Sequence, residues 1–275
     1  MTEENKKVLS RRKFLASAGG VVAGTMMATA GLNLPNSSAN AEGTMEWPWP
    51  YKKLDPEVVR KKGHFGYYQG ACCYGAFSAI IDVLKDEIGY PYTMMPIDMM
   101  RYGEGGIVGW TTVCGALNGT AAAITLIAGE DNYKELVNEL MGWYTEFEFP
   151  SDISNKYAKE HKFLVNKYKS DEVLVQSVSN SPLCHASVTN WCKESGYASG
   201  DSERSERCAR LTGDVAAKAV KLLNASYDGE FVPKYEISGA TERCRSCHAK
   251  GKTFEQGGWT RGKMGCGSCH EDAHK

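Results

Sequence analysis

The sequence shows no stretch of sustained strand alternation, which argues against a fold built on sheets. Nor does it carry an excess of positive charge. Across 275 residues, 32 Lys and Arg stand against 33 Asp and Glu; without the five basic and two acidic side chains of residues 1–41, 27 stand against 31. That balance argues against nucleic acid or an anionic membrane as a partner. One long stretch, Gly105 to Gly129, has no charged residue. Thr111, Thr112, Asn118, Thr120, Thr125 and several glycines make it too polar for a membrane span, so it reads as a buried helix entered through a glycine-rich loop. From Gly239 onward aliphatic residues are few, with Phe254, Trp259 and Met264 the sizeable apolar groups. Such a segment cannot bury enough to fold without a prosthetic group.

Against these absences stand two clear signals at the chain ends. Residues 1–41 have the layout of a signal peptide: a charged start, an apolar run from Phe14 to about Leu34, then small residues at Ala39 and Ala41. Ser10-Arg11-Arg12-Lys13-Phe14-Leu15 resembles the twin-arginine export signal, an address to the periplasm used by proteins that fold, often around a cofactor, before export. The expected organisation is a signal peptide over 1–41, a helical cysteine-containing domain over 42–238 and a tail over 239–275.

The tail holds two CxxCH peptides, Cys244 to His248 and Cys266 to His270. Cys244 with Cys247, and Cys266 with Cys269, are spaced to add across the vinyl groups of one haem each, while His248 or His270 binds the iron from one face. A single zinc held by the four thiols is the competing reading. The histidine after each pair and the export address favour two haem c groups. The sixth position of each iron then needs a partner, and among six histidines His64, His161, His185 and His274 remain. His274 lies four residues past His270, on the proximal side of its own haem, so it could reach only a different one. His64 and His161 are the other distal candidates.

Upstream, periodic segments near 68–88, 112–128, 132–147, 185–196 and 203–225 predict helices, so the fold class is mainly α with an irregular di-haem C-terminal segment. Cys73, with Ala76, Phe77, Ile80 and Leu84 at helical spacing, faces the core; Cys72 has its own periodic set and periodicity does not exclude it. Cys114 opens a small-residue helix, Cys184 follows Pro182 near a helix start, and Cys208 begins a face continued by Leu211, Val215, Ala219 and Leu222. Scattered core-facing cysteines can converge on one point. Disulfides are one outcome in an oxidising compartment; an iron-sulfur cluster loaded before export is the other, and the twin-arginine address favours it.

The order Cys73, Cys114-Gly115-Ala116-Leu117-Asn118-Gly119, Cys184, Cys208 resembles the C_GCAxxG_C_C family of redox proteins. With the two CxxCH peptides, the chain from about residue 60 to its end resembles the split-Soret type of cytochrome c. Val113 and Gly115 depart from the family pattern, and Cys72 and Cys192 are extra cysteines either of which could replace one of the four. The resemblance implies a helical homodimer with two bis-histidine haems per subunit, a ligand donated across the dimer, and an iron-sulfur centre on Cys73, Cys114, Cys184 and Cys208. Function then reads as electron transfer with a redox partner protein. A haem enzyme reducing peroxide or a nitrogen oxide at an open sixth position is the alternative.

Overall fold

The computed structural model describes residues 46–267, Cys269 and His270; the expected signal peptide and His274 lie outside the described residues. Helix α1, Pro56–Ile88, starts where the Asp55 carboxylate accepts from the Glu57 amide and Pro56 fills the first turn, whose amide needs no partner. It is two helical segments joined at a kink, with Gly70 and Ala71 out of helical geometry and Ala71 at φ 62°. Two 3-10 helices, Tyr92–Met94 and Ile97–Gly103, lead into a glycine-rich loop. Helix α2, Gly115–Glu146, changes direction at Gly129, whose φ of 71° favours glycine. A two-residue strand β1, Glu148–Phe149, precedes the short helix α3, Asp152–Lys159, and pairs antiparallel with β2, Ser177–Val178. Helices α4, Cys184–Ser195, α5, Ser202–Tyr227, and α6, Gly239–His248, complete the order.

The chain is mainly helical, and its core is the three-way packing of α1, α2 and α5. Leu211, Val215, Ala219 and Leu222 of α5 are all buried, as their spacing requires. Helices α1 and α5 meet closely at Gly63 and Gly213, where an added Cβ on Gly63 would lie 3.0 Å from the facing Cα. This close approach stabilises a helix half, residues 56–67, that looks too polar to expect from periodicity. Among the described residues no helix is long and apolar enough to cross a membrane. The uncharged stretch of α2 is instead core, with Ala116, Leu117, Ala123 and Ile124 fully buried.

Two buried polar networks tie α1 to α5. The Arg60 guanidinium pairs with Asp214, whose carboxylate also accepts from the Ser151 amide (2.8 Å) and the Ser154 hydroxyl (2.6 Å) at the start of α3. One helical turn away, Glu206 accepts from His64 Nε2 (2.9 Å), Arg210 Nε (3.0 Å) and the Tyr68 hydroxyl.

The tail departs from the irregular segment expected for it. Ser238 caps α6 by accepting from the Thr241 amide, and the first CxxCH lies on this helix. With few aliphatic residues its periodicity is invisible in the sequence, and the cap is the signal that could have revealed it.

Candidate redox centres

Three cysteines stand at helix starts, and the chain holds two of these starts side by side. The Cys114 amide donates to the Pro182 carbonyl (2.8 Å), the Cys184 amide to the Thr112 carbonyl (2.7 Å), and Val113 bridges Leu183 between them. Cys114 is the N-cap of α2, Cys184 the first residue of α4, and Cys72 opens the second segment of α1 just past the kink. Helix N-termini present free amides and partial positive charge, which favours thiolates and anionic groups. Cys208, in the first turns of α5, completes the group.

The thiols of Cys72, Cys114, Cys184 and Cys208 lie within electrostatic reach of one another. Burial pushes the Cys72 thiol well above its ordinary value, with Cys114, Cys208 and Cys184 adding to the shift. Burial, then the charges of Cys114 and Cys208, raises Cys184 to about 12. Cys114 is raised by burial too, although the Tyr144 hydroxyl and the Ala116 amide oppose it. The Cys72, Cys114 and Cys184 thiols stay protonated at neutral pH unless a cation replaces the protons, and with Cys208 beside them the donor set fits a thiolate-held metal. No two cysteines are joined by a disulfide among the described residues. Among the described residues no group of three or more His, Cys, Asp or Glu side chains closes to metal-ligand distance.

Of the adjacent cysteines, the Cys72 thiol lies within electrostatic reach of Cys114, Cys208 and Cys184, and the Cys73 thiol within reach of Cys114. Cys73 is packed into the helix interface, its thiol against Gly103 and its carbonyl against Gly119. Both cysteines and the apolar sets that follow them lie past the kink at Gly70 and Ala71, and both are buried, so periodicity alone does not separate them. Gly115 has a local reason as well, because an added Cβ there would lie 2.4 Å from both Cys72 Sγ and the Gly103 carbonyl. Cys192 is half-buried further along α4, on the side of Arg204, Arg207 and Cys208.

The tail cysteines are placed differently. Cys244 and Cys266 are half-buried within hydrogen-bond reach of each other, so the two CxxCH peptides lie side by side, while Cys247 and Cys269 are exposed. The His248 ring sits 4.9 Å from Trp259, whose amide donates to the His248 carbonyl, and Phe254 lies 5.7 Å from the same indole. Phe254 is 72% and Trp259 56% exposed, flat apolar surface of the kind a porphyrin covers. Lys263 binds Asn138 (2.7 Å) and Met264 receives the Ser181 hydroxyl (3.5 Å), tethering the second peptide beside a cavity of about 390 Å³ between α2 and the tail. Free thiol pairs, an imidazole after each, and uncovered aromatic faces fit haem c.

The distal candidates separate. His64 is fully buried, its Nε2 is engaged by Glu206, and its ring stacks on Phe163 at 3.7 Å. The Glu206 partner comes from 142 residues away, which no local pattern announces. His161 is exposed and bound to Asp171 at 2.9 Å. His185, exposed beside Cys184, has its amide fixed on the Thr111 carbonyl (3.2 Å). His274 lies outside the described residues.

Residues 72–222 match the family described as "Putative redox-active protein (C_GCAxxG_C_C)", and the match begins at Cys72. Fold and cysteine set thus define a redox-active class to which c-type haem peptides have been added. The chain is 33% identical to the split-Soret cytochrome c of Desulfovibrio desulfuricans over 279 residues, covering 95% of this chain and 94% of the relative. The solved structure described as "A novel iron centre in the split-Soret cytochrome c from Desulfovibrio desulfuricans ATCC 27774" superposes with a TM-score of 0.70 at 33% identity, covering 81% of this chain and 90% of that one. The chain belongs to the split-Soret cytochrome c family. With that membership comes a cytochrome's redox role, carried by haem and iron.

Proposed function

We propose that the protein is a periplasmic electron carrier, exported by the twin-arginine route, with two haem c groups on the tail and an iron-sulfur centre in the helical body. The observation that carries this reading is the contrast in placement of the two cysteine sets. Four thiols, Cys72 and Cys114 buried and Cys184 and Cys208 half-buried, converge from four helical segments, while the other four stand half or fully open on the tail. Cys244, Cys247, Cys266 and Cys269 would hold the haems, with His248 and His270 as proximal ligands. Cys72, Cys114, Cys184 and Cys208 would hold the iron-sulfur centre, in keeping with the iron centre named for the solved relative.

Bound iron supplies one-electron exchange between two oxidation states. The chain's part is to fix the ligands, exclude water and set the charge around them. Helix starts at Cys72, Cys114 and Cys184 aim amide dipoles at the buried thiols, and side-by-side CxxCH peptides bring both haems close enough for fast transfer. The working form is a homodimer. Residues 90–110 expose Tyr90, Met94, Met99, Tyr102, Ile107, Val108 and Trp110, with Trp110 80% exposed, and this much open apolar surface supports a face covered by a second copy.

Iron, acid-labile sulfide and haem counts on the purified protein test the reading. Two haems per chain plus further iron with sulfide are expected, together with low-spin haem spectra. Iron equal to the haem alone removes the cluster; a large high-spin fraction that binds cyanide quickly favours a small-molecule reductase instead.

A further inference from the structure

Arg207 lies on α5 one residue before Cys208 and is 1% exposed. Its Nη1 donates to the Ser187 hydroxyl at 3.0 Å, while Nε and Nη2 are buried without a partner in the chain. The buried arginines nearby are handled otherwise: Arg60 pairs with Asp214, and Arg210 with Glu206. A guanidinium buried with open donors and no carboxylate is costly unless an anion meets it. The groups its charge reaches are Cys114, Cys184, Cys192 and the Tyr144 hydroxyl. Tyr144 in turn donates to Ser187 (3.0 Å) and lies within hydrogen-bond reach of Cys114, so Ser187 and Tyr144 hold the arginine against the cysteine cluster. On the more open side, Arg204 Nε donates to the Ser199 carbonyl.

We propose that Arg207 is a positioning residue of the cysteine-held centre, donating Nε–H and Nη2–H to its thiolate or sulfide sulfurs and raising its reduction potential. This rests on the iron-sulfur reading given above. Reduction adds one electron, from a one-electron carrier or a neighbouring haem, and hence one negative charge. A permanently charged guanidinium stabilises that charge without taking up a proton. Hydrogen bonds to cluster sulfurs and nearby charge are known determinants of such potentials.

The test uses the full-length, metal-loaded protein labelled with ¹⁵N-arginine and reduced with dithionite, which leaves the low-spin ferrous haems diamagnetic. Pulsed paramagnetic resonance should show ¹⁵N coupling to the reduced centre, retained in R204K and lost in R207K. Redox titration should place the centre of R207Q at a more negative potential than the parent, with R207K between them and both haem potentials unmoved. No ¹⁵N coupling in the parent, coupling lost in R204K, or an unshifted potential in R207Q would overturn the proposal. Should R207Q not fold, the parent and R204K spectra decide. A parent with no iron beyond its haems defeats the underlying reading instead, a result recognisable from the metal count alone.

Discussion

On the function proposed above, the helical body and the tail hold iron through cysteine from opposite starting points. In the body, α1, α2 and α5 pack into the core, and Cys72 and Cys114 are buried in it. In the tail, Phe254, Trp259 and Met264 remain open, and the covering surface has to come from the porphyrins. A buried thiol set demands that metal arrive during or before folding; an exposed set can be loaded afterwards. On the proposed function, the two placements would suit a cofactor inserted before export and another attached after it, and experiments that uncouple the two regions are the way to test the comparison.

The largest effect is expected from removing one haem site. Replacing Cys244 and Cys247 by alanine should halve the haem per chain in a haemochrome assay while the helical body keeps its far-ultraviolet signal and its unfolding midpoint. A body that melts with the tail would show that the two regions are one cooperative unit. Next comes Glu206→Ala, which leaves Arg210 and His64 buried without their carboxylate. It should cost about 3–5 kcal/mol in denaturant unfolding, with the haem spectrum unchanged. Gly115→Ala acts on the body's metal site alone. Its new methyl overlaps Cys72 Sγ and the Gly103 carbonyl, at a cost of about 1–3 kcal/mol, and iron beyond the haem content should fall while haem does not.

How much of this could be read from the residues themselves follows the same division. The CxxCH peptides are local, and their chemistry is legible at a glance. The α5 face and the α2 core declare themselves by spacing, and the upstream cysteines by their isolation on such faces. What stayed hidden depends on distant partners or on breaks in periodicity. Periodicity could not separate Cys72 from Cys73, because both are buried at the start of one helical segment and each has its own apolar set along it. His64 looks like any histidine free to bind iron until Glu206 and Phe163 are brought to it. Arg207, in SERSERCARL, reads as a solvated charge on a polar helix start; two arginines one and four residues before a core cysteine were the available hint. The N-terminal half of α1, rich in Lys, Gly and Tyr, is helical because glycine at 63 and 213 lets two backbones meet.

A smaller effect is expected from acid. Burial holds the His64 imidazole below its ordinary 6.5 despite the opposing pull of Glu206, so below about pH 6.5 the unfolded chain binds a proton that the folded chain does not. Stability should fall as pH drops through that window, down to the lower pKa of the folded imidazole. Glu206, kept ionised in the fold by His64, Tyr68 and Arg210 against the effect of burial, extends the loss below its ordinary 4.5. In His64→Gln the slope between pH 6.5 and 5 should flatten. A slope equal to the parent's would place the titration elsewhere.

The smallest effect belongs to His161→Ala. The side chain is exposed, its Asp171 partner is exposed as well, and pairs of this kind are worth roughly 0–1 kcal/mol. Its neighbours, Tyr168 and Asp171, belong to the segment leading to β2 and pack near His64 on the body. The CxxCH peptides are tethered elsewhere, to Asn138 and Ser181. The variant should therefore keep both the parent stability and a fully low-spin haem spectrum. A haem turned high-spin by this one change would instead place His161 of one subunit at a haem on the tail of another.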